Sequence, residues 1–244
     1  MEYRLATSFR IDARGRTLPP LAMTEAARLY AARQLEDAAA CCVAVVADDP
    51  SHFEAHHLLG VVCLDLGRGE AALAALRRAI ALNPRSPRAQ YHLGNAFQAL
   101  CRHAEAEPCY RAALALAPGM AEALNNLGNS QRALDRHEDA IVSFRAALEH
   151  GADNPPAHYN MARSLIDLGR VEEAEAAFRA ALAGHADPRE SHRFRDVHDA
   201  LAALLVEQGR DNEALSEVRA ALRLDPAHRR AEWNESLMLL RMGR

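Results

Sequence analysis

One period constrains this chain more than any other feature. The order Leu-Gly, aromatic, Ala, aromatic, Pro is spelled in full over residues 87–120 by Leu93, Gly94, Phe97, Ala106, Tyr110 and Pro118, and its parts recur every 34 residues. One interval earlier stand Leu59, Gly60, Gly67, Ala72, Ala79 and Pro84. Later intervals carry Leu127, Gly128, Ala140, Phe144 and Ala147, then Met161, Ala162, Gly169, Ala174, Phe178 and Ala181. A single such unit cannot bury its own apolar face, so successive units must stack.

The residue types say what each unit is. Gly94 and Ala106 are small where two helices cross closely, and Leu93, Phe97 and Tyr110 fill the space beside them. Leu114 and Leu116 continue the apolar side of the second helix, which Pro118 and Gly119 then stop. Half the residues are apolar but only 5% are aromatic, so the core must be built from Ala, Leu and Val. Ala and Leu are also strong helix formers, and local propensity agrees with the period. The expected fold class is all-α, a solenoid of tandem helix-turn-helix units.

The pattern resembles the tetratricopeptide repeat (TPR), in the style of bacterial TPR arms and of the TPR superhelix of O-linked N-acetylglucosamine transferases. The resemblance covers residues 19–244 and implies a right-handed superhelix. Its first helices would line a concave groove that takes extended peptides or partner helices. The expected organisation is an N-terminal tail (1–18), repeats 19–52, 53–86, 87–120, 121–154 and 155–188, an insertion at 189–194, a repeat 195–228 and a partial repeat 229–244. Repeat 19–52 is the loosest, with Ala26, Ala38 and Pro50 in register but no Leu-Gly pair.

Four places depart from regularity. The tail alternates Arg4, Arg10, Arg14 and Arg16 with Tyr3, Leu5, Phe9 and Ile11; it is either disordered or a cover for the open end of the stack, and covering is the favoured expectation. Pro108 lies in a second helix and is expected in its first turn, where its missing N–H costs nothing. Asp187-Pro188-Arg189-Glu190 reads as a helix start, predicting a first helix from near 188 to near 208, about two turns longer than the others. Its end would carry Arg189, His192, Arg193 and Arg195, as a partner-contacting knob or a harmless insertion. The last helix carries Trp233, Leu237, Met238, Leu239, Leu240 and Met242, apolar on more than one side, so another chain or a further C-terminal segment is expected to cover it.

Composition and motifs exclude much chemistry. All 29 basic residues are Arg, which removes lysine nucleophiles and Schiff bases. A formal net charge of -4 gives no reason to expect nucleic acid or an anionic membrane. No apolar run approaches a membrane span, and residues 1–16 lack a signal-peptide core, so the expected location is cytoplasmic. The five cysteines show no C-x-x-C and read as reduced thiols, buried or half-buried. Histidines group as His52, His56 and His57 and as His185, His192 and His198, at loops and helix starts rather than as a converging ligand set. No nucleophile, phosphate-loop or dinucleotide signature is present. The chain is read as neither an enzyme nor a metal or cofactor protein.

What remains is the face of each first helix opposite its packed side, at repeat positions 2, 5, 6, 9, 12 and 13. The candidate groove residues are Arg88, Tyr91, His92, Asn95 and Gln98, then Asn125, Asn126, Asn129 and Arg132, then Tyr159, Asn160 and Arg163. Asparagine suits such a surface because one amide both donates to and accepts from a peptide backbone. Asn126, Asn160 and Asn234 resemble the asparagine ladder of the glycosyltransferase arm, broken here by His92 and Ala200. Asn95 and Asn126 match two asparagines of the carboxylate clamp of chaperone-binding TPR proteins. Tyr91, Pro156 and Asn160 stand where its basic residues belong, which argues against chaperone tails. Acidic Glu54 and Asp65 on one flank and Asp196, Asp199 and Glu207 on the other frame Arg88, Arg132 and Arg163.

The expected function is non-catalytic: a scaffold binding a peptide or partner protein in its concave groove. One alternative is the N-terminal recognition domain of a larger enzyme, for instance a glycosyltransferase. Another is self-association through Trp233, Leu237 and Leu240 of the last helix.

Overall fold

A computed structural model describes residues 10–11, 17–18, 20–151, 154–183 and 191–243. Among these, thirteen helices follow one another: α1 (Pro20–Ala31), α2 (Leu35–Asp48), α3 (Phe53–Asp65), α4 (Gly69–Leu82), α5 (Pro87–Ala99), α6 (His103–Leu116), α7 (Ala121–Ala133), α8 (His137–His150), α9 (Pro155–Asp167), α10 (Val171–Ala183), α11 (Ser191–Glu207), α12 (Asp211–Leu224) and α13 (Arg229–Arg241). The only other regular element among these residues is a two-residue ladder, β1 (Arg10–Ile11) antiparallel to β2 (Thr17–Leu18), with Arg10 opposite Leu18. The architecture is an all-α repeat solenoid. Two compact units divide it, one through Pro118 and one from Gly119.

The hairpins close as the period demands. The second helices each carry a fully buried Ala (Ala38, Ala72, Ala106, Ala140, Ala174, Ala214) and, four residues on, a buried filler (Cys42, Leu76, Tyr110, Phe144, Phe178, Val218). The filler fits because the partner helix offers glycine: a Cβ on Gly94 would stand 2.5 Å from Tyr110 Cε1, and one on Gly128 2.6 Å from Phe144 Cε1. A row not anticipated from the sequence is the third residue of most first helices, where Ala55, Ala89, Ala123, Ala157 and Ala231 are all fully buried.

The turns repeat as closely as the cores. After each first helix the chain passes through a left-handed residue, with φ of 70° at Gly67, Gly169 and near it at Gly209, and 60°, 57° and 63° at Arg33, Cys101 and Asp135. The next N–H then reaches back across the turn, as from Arg68 to Cys63 O at 2.8 Å, Arg102 to Phe97 O at 2.9 Å and Arg210 to Leu205 O at 2.9 Å. That bond closes the helix end. The three non-glycine residues each bear a left-handed cost of about 1 kcal/mol.

The residue opening each second helix after α2 is Arg68, Arg102, Arg136, Arg170 or Arg210. Four of them grip a carboxylate three residues on: Glu105, Asp139 at 2.7 Å, Glu173 at 2.7 Å and Glu213 at 2.6 Å. Three also reach the preceding second helix, Arg68 to Glu36 at 2.7 Å, Arg102 to Glu70 at 3.6 Å and Arg210 to Glu175 at 2.6 Å. First helices start on side-chain caps in three cases, from His52, Ser86 and Asn154.

One expectation needs correction. Pro108 is the sixth residue of α6, past the first turn, so it deprives Ala104 of its ladder N–H. The helix nevertheless continues to Leu116, and the Cys109 thiol donates to the Glu105 carbonyl at 3.3 Å. The described part of α11 begins at Ser191, so the expected start near 188 lies outside the described residues, while its end at Glu207 is one residue from the expected one. Residues 184–190, with His185 and with Arg189 of the expected knob, lie outside the described residues, as do the side chains of His192 and Arg193 and most of the tail. Arg195 is committed to Asp196 and Asp225, both at 2.9 Å.

Candidate functional site

In the first unit, α3 and α5 bring four of the five predicted residues into one connected row. His92 lies 5.1 Å from both the His57 and the Tyr91 ring; Phe53 stacks on His57 at 5.7 Å and Tyr91 reaches Tyr110 at 6.1 Å. The Tyr110 hydroxyl sits 2.9 Å from the Asn95 amide and 2.5 Å from that of Gln98. Both partners are amide oxygens, so the single hydroxyl proton is shared between two acceptors. Arg88, at the start of α5, is the fifth.

His57, expected at a helix start, and His92, expected in the groove, are both desolvated. Burial, then the neighbouring His57 and Arg88, holds the His92 imidazole down to about 4. Burial lowers His57 as well, and its Nε2 has no hydrogen-bond partner. His92 is therefore neutral at pH 7 and contributes a polar ring, not a cation, to the row. His56 is buried with Nε2 3.1 Å from Pro50 O, and His52 Nδ1 accepts the Ala55 N–H at 3.2 Å. Among the described residues no three His, Cys, Asp or Glu side chains converge as metal ligands.

In the second unit the amides of α7 and α9 bond to one another. Asn160 Nδ2 donates to Asn125 Oδ1 at 3.2 Å, and Asn125 Nδ2 donates to Asn126 Oδ1 at 3.2 Å. Those three are thus partly spent within the protein. Asn129 differs, because its Oδ1 is buried without a partner. Arg163 lies over Tyr159 at 5.8 Å, and Tyr159 leans on Phe178 at 5.9 Å. Arg132 Nε is buried and unpartnered, and burial followed by the Arg163 charge lowers the Arg132 guanidinium from its ordinary value.

Two of the flanking acids are already paired with arginines, Asp65 with Arg33 at 2.9 Å and Asp196 with Arg195, and Asp199 hydrogen-bonds His228 Nε2 at 2.6 Å. Among the described residues no carboxylate lies within ion-pair distance of Arg132 or Arg163, although Asp167 is near enough to attract the Arg132 charge.

On α13 the apolar residues divide. Met238 is buried and Leu239 and Met242 pack against the core, whereas Trp233, Leu237 and Leu240 are 70%, 45% and 75% exposed. Trp233, Leu237 and Leu240 stand 34 residues after Asp199, Ala203 and Val206 of α11, at the repeat positions that Tyr159, Arg163 and Ile166 occupy on α9. Their register is that of the groove residues, which the sequence reading did not draw out. Among the described residues, no helix is long and apolar enough to cross a membrane.

Family models described as tetratricopeptide repeat match residues 85–151 and 131–195, and one described as TPR repeat matches residues 62–100. No curated protein matches the chain. Among solved structures, PilW, a type IV pilus biogenesis factor, superposes with a TM-score of 0.77 at 17% identity over 91% of this chain and 98% of its own. A thermophilic TPR protein of Thermus thermophilus, TTC0263, gives 0.59 at 26% identity, covering 77% and 99%. YrrB, described as a TPR protein with an unusual peptide-binding site, gives 0.60 at 19%, covering 80% and 97%.

Proposed function

We propose that this chain, which belongs to the tetratricopeptide-repeat family, is a non-catalytic scaffold that binds a peptide or partner protein along the inner rows of its first helices. The observation that carries the proposal is the half-buried composition of those rows. Aromatic rings, amides and arginines occupy them at fixed repeat positions, where a merely solvated helix face would carry Glu and Arg in pairs. Aromatic and Arg side chains are the types that anchor protein interfaces. The peptide-binding site of the structurally similar YrrB is in keeping with such a use.

The test is affinity capture from a lysate of the source cell, with the wild-type chain beside the triple variant Asn95→Ala, Asn129→Ala, Arg163→Ala. Circular dichroism must first show that the variant keeps its helix content. Loss of a partner with the variant places binding on the inner rows. A partner held equally by both chains moves the site elsewhere and overturns the proposal.

A further inference from the structure

We infer that the inner row of the second unit takes one extended peptide segment, with an acidic side chain between Arg132 and Arg163 and apolar side chains on Trp233, Leu237 and Leu240. This rests on the inner rows being the interaction surface, and it names the chemistry of the partner.

The arginines supply the first half of the argument. Among the described residues of the same unit Arg136, Arg170, Arg179, Arg195, Arg210 and Arg219 touch carboxylates, at 2.6–2.9 Å, and the exposed Arg223, Arg229 and Arg230 do not. Arg132 and Arg163 also touch none, and they differ from those three: burial, then the neighbouring Arg163, disfavours the Arg132 charge, which Asp167 only partly offsets. Two neighbouring cations without a contacting counterion leave an unfavourable field that an incoming carboxylate would relieve. The unpartnered Asn129 Oδ1, one turn before Arg132 on α7, offers an acceptor for a peptide N–H.

The second half is the change in side-chain character from α9 to α13. The row passes from Tyr159 and Arg163 over the small Ala203 of α11 to the bulky, exposed Trp233, Leu237 and Leu240. Small residues between two larger groups leave room for a main chain to cross. Packed helices lie about 8–10 Å apart, so with α11 between them α9 and α13 stand on the order of 20 Å or more apart, a span that about six or more extended residues cover. The complementary segment therefore carries acid and apolar residues about six or more positions apart. A polypeptide fits better than a nucleic acid, because among the described residues the row offers only Arg132, Arg163 and Arg230 as cations without a carboxylate contact, beside Asp199 and an apolar surface, on a chain of net charge -4.

The probe is a fluorescein-labelled peptide with Glu-Glu at one end, a Gly-Ser spacer of about six residues and Leu-Phe at the other, made in both chain directions. Fluorescence anisotropy on the full chain is expected to show binding in one direction. Affinity should fall about ten-fold when Glu-Glu becomes Gln-Gln, and about ten-fold in Arg132→Gln with Arg163→Gln. Trp233→Ala with Leu240→Ala, whose side chains are exposed and whose removal leaves the core intact, should weaken it similarly. Salt should weaken binding to the wild type and not to the arginine variant.

No binding in either direction, or binding indifferent to either pair of substitutions, overturns the inference. So does displacement of the peptide by a single-stranded oligonucleotide. Sedimentation showing a dimer that Trp233→Ala with Leu240→Ala converts to monomer also overturns it, because a second copy then occupies α13. If the peptide is indifferent while a lysate partner is still lost with the triple variant, the acidic-apolar assignment falls and the interaction surface stands. If both are indifferent, both fall.

Discussion

Replacing Gly128 with Ala sets two ordinary effects against each other. In a helix interior Ala is favoured over Gly by about 1 kcal/mol, so propensity alone predicts stabilisation. At this position the new Cβ would stand 2.6, 2.8 and 2.9 Å from Cε1, Cδ1 and Cζ of Phe144, a ring with no exposed surface. Overpacking of this kind costs about 1–3 kcal/mol, and three ring atoms inside 3 Å put it at the upper end. The expected net loss is about 2 kcal/mol, which for a chain of this size lowers Tm by about 4–8 °C. Urea unfolding followed by circular dichroism and by the fluorescence of Trp233 measures it, two probes being needed because repeat arrays do not always unfold in one step. Phe144→Leu removes the ring, so Gly128→Ala should cost less in that background, with a coupling of about 1–2 kcal/mol. A Gly67→Ala control costs about 1 kcal/mol for a different reason, its φ of +70° with nothing within 4 Å. A Gly128→Ala chain as stable as the wild type would refute the close-crossing account of the repeat glycine.

Other consequences follow from single contacts. His92, held to about 4, favours folding while neutral; that stability is complete above its unfolded value near 6.5 and is lost as pH falls toward 4. His92→Gln should flatten the stability profile across that window by on the order of 2 kcal/mol after allowance for solvent screening. Glu175, with a side chain 16% exposed, is depressed chiefly by Arg210, so its contribution is present above the ordinary glutamate value and lost as pH falls through the folded one. Glu175→Gln should cost about 0.5–1 kcal/mol at pH 7, with the difference vanishing in acid urea titrations. The buried Ser143 hydroxyl donates to Gln131 Oε1 at 2.6 Å, so Ser143→Ala should cost about 1–3 kcal/mol by orphaning that oxygen. Adding Gln131→Leu should recover part of the loss in the same assay.

The fold was legible because each hairpin repeats one solution in residue types that admit few others. A glycine facing a ring, an alanine at the crossing and a proline or glycine at the stop each have a steric reason that survives outside its context. The Arg three residues before a carboxylate was equally legible, and was missed because ion pairs carry no period of their own until the repeats are aligned. Pro108 shows the weakness of local signals at helix boundaries, where one turn decides whether a proline N–H is needed. The candidate site was legible as positions and not as chemistry. That His57 and His92 share one desolvated stack depends on two helices from different repeats meeting, and that Asn125, Asn126 and Asn160 bond together depends on the same approach. Spacing along one helix cannot report either.

The thiols give the chain an internal clock. Cys41, Cys42, Cys63 and Cys109 are buried, with Cys42 pushed up to about 12 and Cys109 to about 11, while Cys101 stands exposed in the left-handed turn after α5. Since only the thiolate reacts, an alkylating reagent should mark Cys101 at once and reach the others only when their own hairpins open. Counting added mass against time would then rank the first three hairpins by how often each one breathes, without any change to the sequence.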